Sequence, residues 1–139
     1  MFNRRGSLAH ESPELFTAVV HVVENDSDLR EKLDGLLTSV GLKHRMYERL
    51  DDLLDSEACS SRGCIVLDVP SCGMAEAEVV QLLRQREMNH PLIMIDTRQE
   101  VPAPHFSRDQ GTIEVLPKPY SVQRLLETVS KALALIRRM

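Results

Sequence analysis

Four short apolar runs along the chain are each followed by polar residues. The runs cover residues 19–23, 63–67, 92–95 and 113–116. Short apolar runs of this kind are typical of strands that are buried in a parallel sheet. The polar residues that follow them are, in chain order, Glu24, Asn25 and Asp26, then Asp68, then Asp96 and Thr97, and finally Lys118 and Pro119. Because the carboxyl ends of parallel strands meet at one edge of an open sheet, we predict a single crevice that holds these side chains.

Helical patterns alternate with the apolar runs. Residues 27–40 have an apolar face at helical spacing, with Ser27 as the expected N-cap and Gly41 as the terminator. Further helices are predicted at 50–58, around 79–83, within 102–110 and from Ser121 to Ile136, and a short edge strand at 42–47. Pro102 and Pro104 limit the helix within 102–110 to a short piece, and residues 70–73 are predicted as a loop. This alternation predicts an α/β fold with a doubly wound, five-stranded parallel sheet.

Composition and charge narrow the function classes. The 139 residues suit one domain, which we place at residues 17–139 after a flexible tail at residues 1–16. The net charge of −4 argues against a nucleic-acid partner, which would need a basic surface. No apolar stretch approaches the ~20 residues that span a bilayer, so we expect no membrane partner and a cytoplasmic location. The three cysteines form no C-x-x-C pair, which argues against a zinc site or disulfide framework.

The crevice residues predict phosphoryl chemistry. A carboxylate such as Asp68 can act as a nucleophile and take up a phosphoryl group as an acyl phosphate. That chemistry needs Mg²⁺, which binds oxygen ligands, and the 24–26 segment is the natural source of further ligands. Lys118 could pair with a phosphoryl oxygen as a point charge. The plainer alternatives are that Asp68 is a loop or capping residue, and that Asp26 or Ser27 only caps the first helix.

These residues resemble the receiver domain of two-component response regulators, and most closely the FixJ-like subgroup. The resemblance extends from about Val19 to Ile136 and includes residues 20–23 (valine, histidine, valine, valine) before the acids and Val101-Pro102. It implies the flavodoxin-like receiver fold with strand order 2-1-3-4-5. It also implies that Asp68 is the phosphoacceptor and that Lys118 assists it. The implied Mg²⁺ ligands are Glu24, Asn25, Asp68 and the backbone carbonyl of Pro70.

The sequence departs from the family pattern at five positions. Asn25 stands where the family has the aspartate closest to the metal, so we expect Mg²⁺ to bind weakly. Asp96 occupies the switch position, where the family has a threonine or serine that donates to the phosphoryl group, and an ionised carboxylate only accepts. The other departures are Val115 at the aromatic switch position, Cys72 in place of a proline, and Pro104 within the fourth helix.

The leading prediction is a single-domain response regulator rather than an enzyme. It would take a phosphoryl group from a sensor histidine kinase or a phosphotransfer protein, signal to a downstream protein by direct contact, and could form a homodimer. The alternative is a pseudo-receiver, an interaction module that works without phosphorylation. A haloacid-dehalogenase-like phosphatase would require a second aspartate at the position of Pro70, which disfavours this class. A flavin or nucleotide carrier is disfavoured because residues 24–26 would repel phosphate.

Overall fold

Five parallel strands form one sheet in the order β2-β1-β3-β4-β5. The structure is a computed structural model that describes residues 18–96, 112–117 and 120–137. The strands are β1 Val19–Val23, β2 His44–Tyr47, β3 Gly63–Asp68, β4 Leu92–Asp96 and β5 Thr112–Pro117. This topology confirms the predicted doubly wound fold and its strand order.

Helices flank the sheet in the described ranges. They are α1 Ser27–Ser39, α2 Leu50–Leu54, α3 Val69–Cys72, α4 Glu76–Gln85 and α5 Val122–Arg137, with a 3₁₀ turn at Ala58–Ser60. Within those ranges, none of the helices combines the length and the apolar character that crossing a membrane requires.

Two apolar clusters pack on opposite faces of the sheet. The first cluster contains Leu53 and Leu83 together with Ile65 and Leu67 of β3. The second cluster contains Leu33 of α1 and Leu125 of α5 together with Cys64 and Val66 of β3. Both faces of β3 are therefore covered, which explains why its sequence is an unbroken apolar run.

The ends of α1 and α5 follow the sequence signals, with one correction at the start of α1. Asp26, not Ser27, caps α1, since its Oδ1 accepts the backbone N–H of Asp28 at 3.0 Å. Gly41, at φ +77°, ends the segment as predicted, because this conformation suits glycine. Ser121 caps α5, and its Oγ accepts the backbone N–H of Arg124 at 3.0 Å.

Some predicted boundaries were wrong. The helix predicted at 50–58 ends at Leu54, and β2 begins only at His44. Residues 70–72 of the predicted loop belong to the helical turn α3, which Gly73 ends at φ +68°. The tail at residues 1–16 and the helix within 102–110 lie outside the described residues, so these two expectations and the domain boundary stay predictions.

Candidate functional site

Three buried carboxylates lie at the carboxyl edge of the sheet. Glu24, Asp68 and Asp96 follow or end β1, β3 and β4, which are neighbours in the sheet, and are only 1%, 3% and 2% exposed. In the register of the strands, Asp68 lies beside Ile95, so Asp96 is one residue further along. Burying carboxylates is costly unless other groups compensate for their charge. Such a cluster at the edge of a parallel sheet therefore marks a functional site.

Glu24 is held by backbone contacts on both sides. Its N–H donates to the carbonyl of Tyr47 at 2.9 Å, which ties it to the end of β2. Its Oε2 accepts the backbone N–H of Asp26 at 3.2 Å, and its carbonyl accepts Nη1 of Arg30 at 2.9 Å. Asp26 therefore caps α1 and also supports the orientation of the Glu24 carboxylate.

Ser71 connects Asn25 to Asp68. Its Oγ lies 2.8 Å from Asn25 Oδ1 and 3.0 Å from Asp68 Oδ2, and it accepts the Asn25 N–H at 3.3 Å. A hydroxyl carries one proton, so the two oxygens share a single donor. No role for Ser71 is predicted from the sequence. Its spacing of three residues from Asp68 is informative only once residues 69–72 are known to be helical, because that spacing then places it beside Asp68.

Pro70 and Cys72 complete the α3 turn. Pro70 is exposed, and its carbonyl accepts the N–H of Gly73 at 3.4 Å. The Cys72 thiol donates a hydrogen bond to the carbonyl oxygen of Asp68, with a distance of 3.6 Å between sulfur and oxygen. The pKa of the Cys72 thiol is raised to about 12, mainly by burial and to a smaller extent by the negative charge of Asp68. Cys72 therefore stays protonated at neutral pH and is a poor nucleophile.

Tyr120 is a second residue near the site for which the sequence predicts no role. Its ring packs against the second apolar cluster, and its hydroxyl oxygen is buried. Burial, with a smaller effect from the charges of Glu24 and Asp68, raises its pKa to about 12. A tyrosine shortly after a strand is a weak sequence signal, because aromatic residues there usually only fill the core.

The structure does not describe every predicted site residue. Lys118 and Thr97 lie outside the described residues, so their positions stay predictions. Val115, at the predicted aromatic switch position, lies in β5 and packs against the first apolar cluster.

The donor groups suit a hard cation. Side-chain oxygens of Glu24, Asn25 and Asp68 lie at one edge with the carbonyl of Pro70 nearby, and Mg²⁺ prefers oxygen ligands, usually with only one or two carboxylates. Across the described ranges, no three His, Cys, Asp or Glu side chains form a group that could hold a metal ion. A cation here would therefore depend partly on the neutral oxygens of Asn25 and Pro70.

Comparisons with known proteins agree with this geometry. Residues 20–130 match the family model of the response regulator receiver domain. The chain is 33% identical, over 122 residues, to the transcriptional regulatory protein TdiR of Thauera aromatica, covering 88% of this chain and 54% of TdiR. It is 25% identical to the transcriptional regulatory protein FixJ of Bradyrhizobium diazoefficiens, covering 82% and 56%. The chain thus spans about half the length of these curated relatives.

Solved structures show the same fold. The response regulator StyR superposes with a TM-score of 0.78 at 30% identity, covering 88% of this chain and 62% of StyR. The crystal structure of FixJ-N superposes with a TM-score of 0.71 at 24% identity, covering 84% of this chain and 94% of that structure.

Proposed function

This chain belongs to the response regulator receiver domain family, and from that membership we propose that Asp68 accepts a phosphoryl group from a sensor histidine kinase or a phosphotransfer protein. The observation that carries the proposal is the buried Asp68 carboxylate at the end of the central strand β3, next to the buried Glu24. Receiver domains are signalling modules, and a strand-end carboxylate is the nucleophile that an acyl phosphate requires.

The proposed reaction is a transfer between two side chains. An oxygen of Asp68 attacks the phosphorus of a phosphohistidine, a P–O bond forms, the P–N bond breaks, and the imidazole leaves with the bonding electron pair. Ser71 Oγ, at 3.0 Å from Asp68 Oδ2, holds the carboxylate in one orientation during the attack. Lys118 is proposed, from its matching position in the family pattern alone, to pair with a phosphoryl oxygen.

A magnesium ion would be held by Glu24, Asn25, Asp68 and the carbonyl of Pro70. It would supply positive charge that offsets the negative charge of the phosphoryl group. The Pro70 carbonyl already accepts from Gly73 N–H at 3.4 Å, and a carbonyl oxygen keeps a second lone pair for a cation.

Labelling with acetyl phosphate tests the proposal. The protein is incubated with acetyl phosphate and Mg²⁺, and its intact mass is measured. We expect the parent protein to gain one phosphoryl group, Asp68→Asn to gain none, and the matched control Asp55→Asn, at an exposed aspartate after α2, to behave like the parent. A label that persists in Asp68→Asn would show that the phosphoacceptor is another residue.

The second candidate function is a phosphorylation-independent pseudo-receiver. One observation favours it: the buried Asp96 carboxylate at the end of β4 supplies an acceptor where a phosphoryl group needs a donor. This function predicts no acetyl phosphate labelling of the parent protein and an unchanged affinity of Asp68→Asn for the downstream partner.

The finer proposals concern the biological setting. We propose a cytoplasmic, single-domain regulator that passes its signal to a downstream protein by direct contact. The mass of the native protein in cell extracts tests the single-domain proposal. A product of 15.7 kDa supports it, whereas a product about twice that size makes this chain the receiver part of a longer regulator.

A further inference from the structure

The hydroxyl of Tyr120 is buried but makes no hydrogen bond within the described part of the chain. Its ring is fixed by packing against the second apolar cluster. Buried polar groups are nearly always hydrogen bonded, so an exception calls for a specific explanation, such as a group that binds there. This exception lies beside the carboxylate crevice.

Tyr120 and two of the carboxylates lie on the same face of the sheet. Val22 and Val66 belong to the cluster that Tyr120 packs against. Glu24 and Asp68 each come two residues later, and side chains two residues apart along a strand share a face. The charges of both carboxylates act on the phenol, and its pKa of about 12 keeps it protonated at neutral pH. Tyr120 therefore supplies a proton donor on the face of the sheet that carries Glu24 and Asp68.

Among the described residues, the other side chains of the crevice offer few donors. Asp96 is an acceptor when ionised, and the single proton of Ser71 is shared between Asn25 and Asp68. A phosphoryl group on Asp68 would bring further anionic oxygens, which need donors.

We infer that the Tyr120 hydroxyl donates a hydrogen bond to the phosphoryl group on Asp68 and so replaces the donor that Asp96 cannot supply. The inference rests on the proposed function, because it requires a phosphoryl group on Asp68. Tyr120 contributes no atom to the transfer itself. Its donated hydrogen bond stabilises the phosphorylated state.

Beryllofluoride with Mg²⁺ is a suitable probe, because it mimics a phosphoryl group on a carboxylate without needing the transfer step. The chain has two tyrosines and no tryptophan, so Tyr47→Phe leaves Tyr120 as the sole tyrosine in absorbance and fluorescence spectra. We expect beryllofluoride to change the spectrum of Tyr47→Phe, and Tyr120→Phe to bind it about tenfold more weakly, as expected for one lost hydrogen bond to a charged acceptor.

The same pair of variants separates a local role from a structural one. Tyr47 hydrogen bonds to His21 Nδ1 at 2.9 Å, so Tyr47→Phe should lower the thermal midpoint while binding beryllofluoride like the parent. Tyr120→Phe loses no hydrogen bond to the residues that the structure describes, and it should not lower the midpoint. Weaker binding by Tyr120→Phe together with a lowered midpoint would overturn the inference, because the loss would then be structural.

Three other outcomes are decisive. Equal binding by Tyr120→Phe and the parent overturns the inference and leaves the proposed function intact. A full spectral change of Tyr120 with Mg²⁺ alone also overturns it, because the hydroxyl would then respond to the metal site. If the parent neither binds beryllofluoride nor takes up a label from acetyl phosphate, the proposed function fails, and the inference fails with it.

Discussion

Replacing Asp96 with threonine tests whether the Asp96 carboxylate destabilises a phosphoryl group on Asp68. Asp96 is 2% exposed at the end of β4, one residue beyond the partner of Asp68 in the neighbouring strand. An ionised carboxylate there should repel a phosphoryl group on Asp68 and attract Lys118. Asp96→Thr removes the negative charge and adds a hydroxyl that can donate.

The register of the strands sets the size of the effect. Adjacent strands lie about 4.8 Å apart and rise about 3.3 Å per residue, which places the Cα atoms of Asp68 and Asp96 roughly 6 Å apart. Successive side chains of a strand point to opposite faces, so the two carboxylates lie at least that far apart, and at an effective dielectric constant of about 20 two unit charges repel by at most about 3 kcal/mol, roughly a hundredfold in an equilibrium constant. Pairing with Lys118 would offset part of this repulsion, so we expect Asp96→Thr to raise labelling or its lifetime by about tenfold.

The assay follows the intact mass of the protein over time after addition of acetyl phosphate and Mg²⁺, and again after acetyl phosphate is removed. Asp96→Asn is the matched control, since it removes the charge without adding a hydroxyl. A gain shared by both variants assigns the effect to charge, whereas a gain in Asp96→Thr alone assigns it to the hydroxyl donor. If the parent and Asp96→Thr are labelled equally and lose the label equally fast, the argument that Asp96 opposes the phosphoryl group is wrong.

Three further predictions concern the metal, acid stability and the backbone. Asn25→Asp should tighten Mg²⁺ binding roughly tenfold by restoring a carboxylate ligand, and a titration without gain would contradict the metal assignment. Burial lowers the pKa of His21 to about 4, so the unfolded chain, with its ordinary value of 6.5, binds more protons between these two pH values. Stability should therefore fall as the pH drops through that window, by up to about 3 kcal/mol, and urea unfolding of His21→Asn should show a flatter pH dependence. An equally steep dependence in the variant would contradict this assignment. Gly63→Ala should destabilise by more than about 3 kcal/mol in the same urea assay, because a Cβ there would lie 1.8 Å from the carbonyl oxygen of Val19. Gly35→Ala, in open space within α1, is its control and should stabilise slightly, and equal effects at both glycines would refute the steric argument.

The sequence predicted the sheet well because β1, β3 and β4 are short, nearly continuous apolar runs that are rich in β-branched residues, which favours buried strands. It predicted the α3 turn poorly, because Pro70 and Gly73 signal a break, whereas proline also fits the first turn of a helix. The choice between Asp26 and Ser27 as the cap of α1 could not be made from composition, since both residue types cap well. The Ser71 bridge depended on that turn, and the place of Tyr120 beside Glu24 depended on tertiary packing, which no local pattern encodes.

The two unusual crevice residues together move a negative charge rather than remove one. Relative to the usual family pattern, Asn25 takes a carboxylate away from the end of β1, and Asp96 adds one at the end of β4. Glu24, Asp68 and Asp96 keep the carboxylate count at three, so the long-range field that an anionic phosphodonor meets should change little. The short-range electrostatic interactions change. Negative charge is lost at Asn25, where a cation would bind, and gained at Asp96, near the place of a phosphoryl group on Asp68. Both changes weaken the phosphorylated state relative to the resting state, which makes an additional donor such as the Tyr120 hydroxyl more valuable in this crevice than in one with the usual residues.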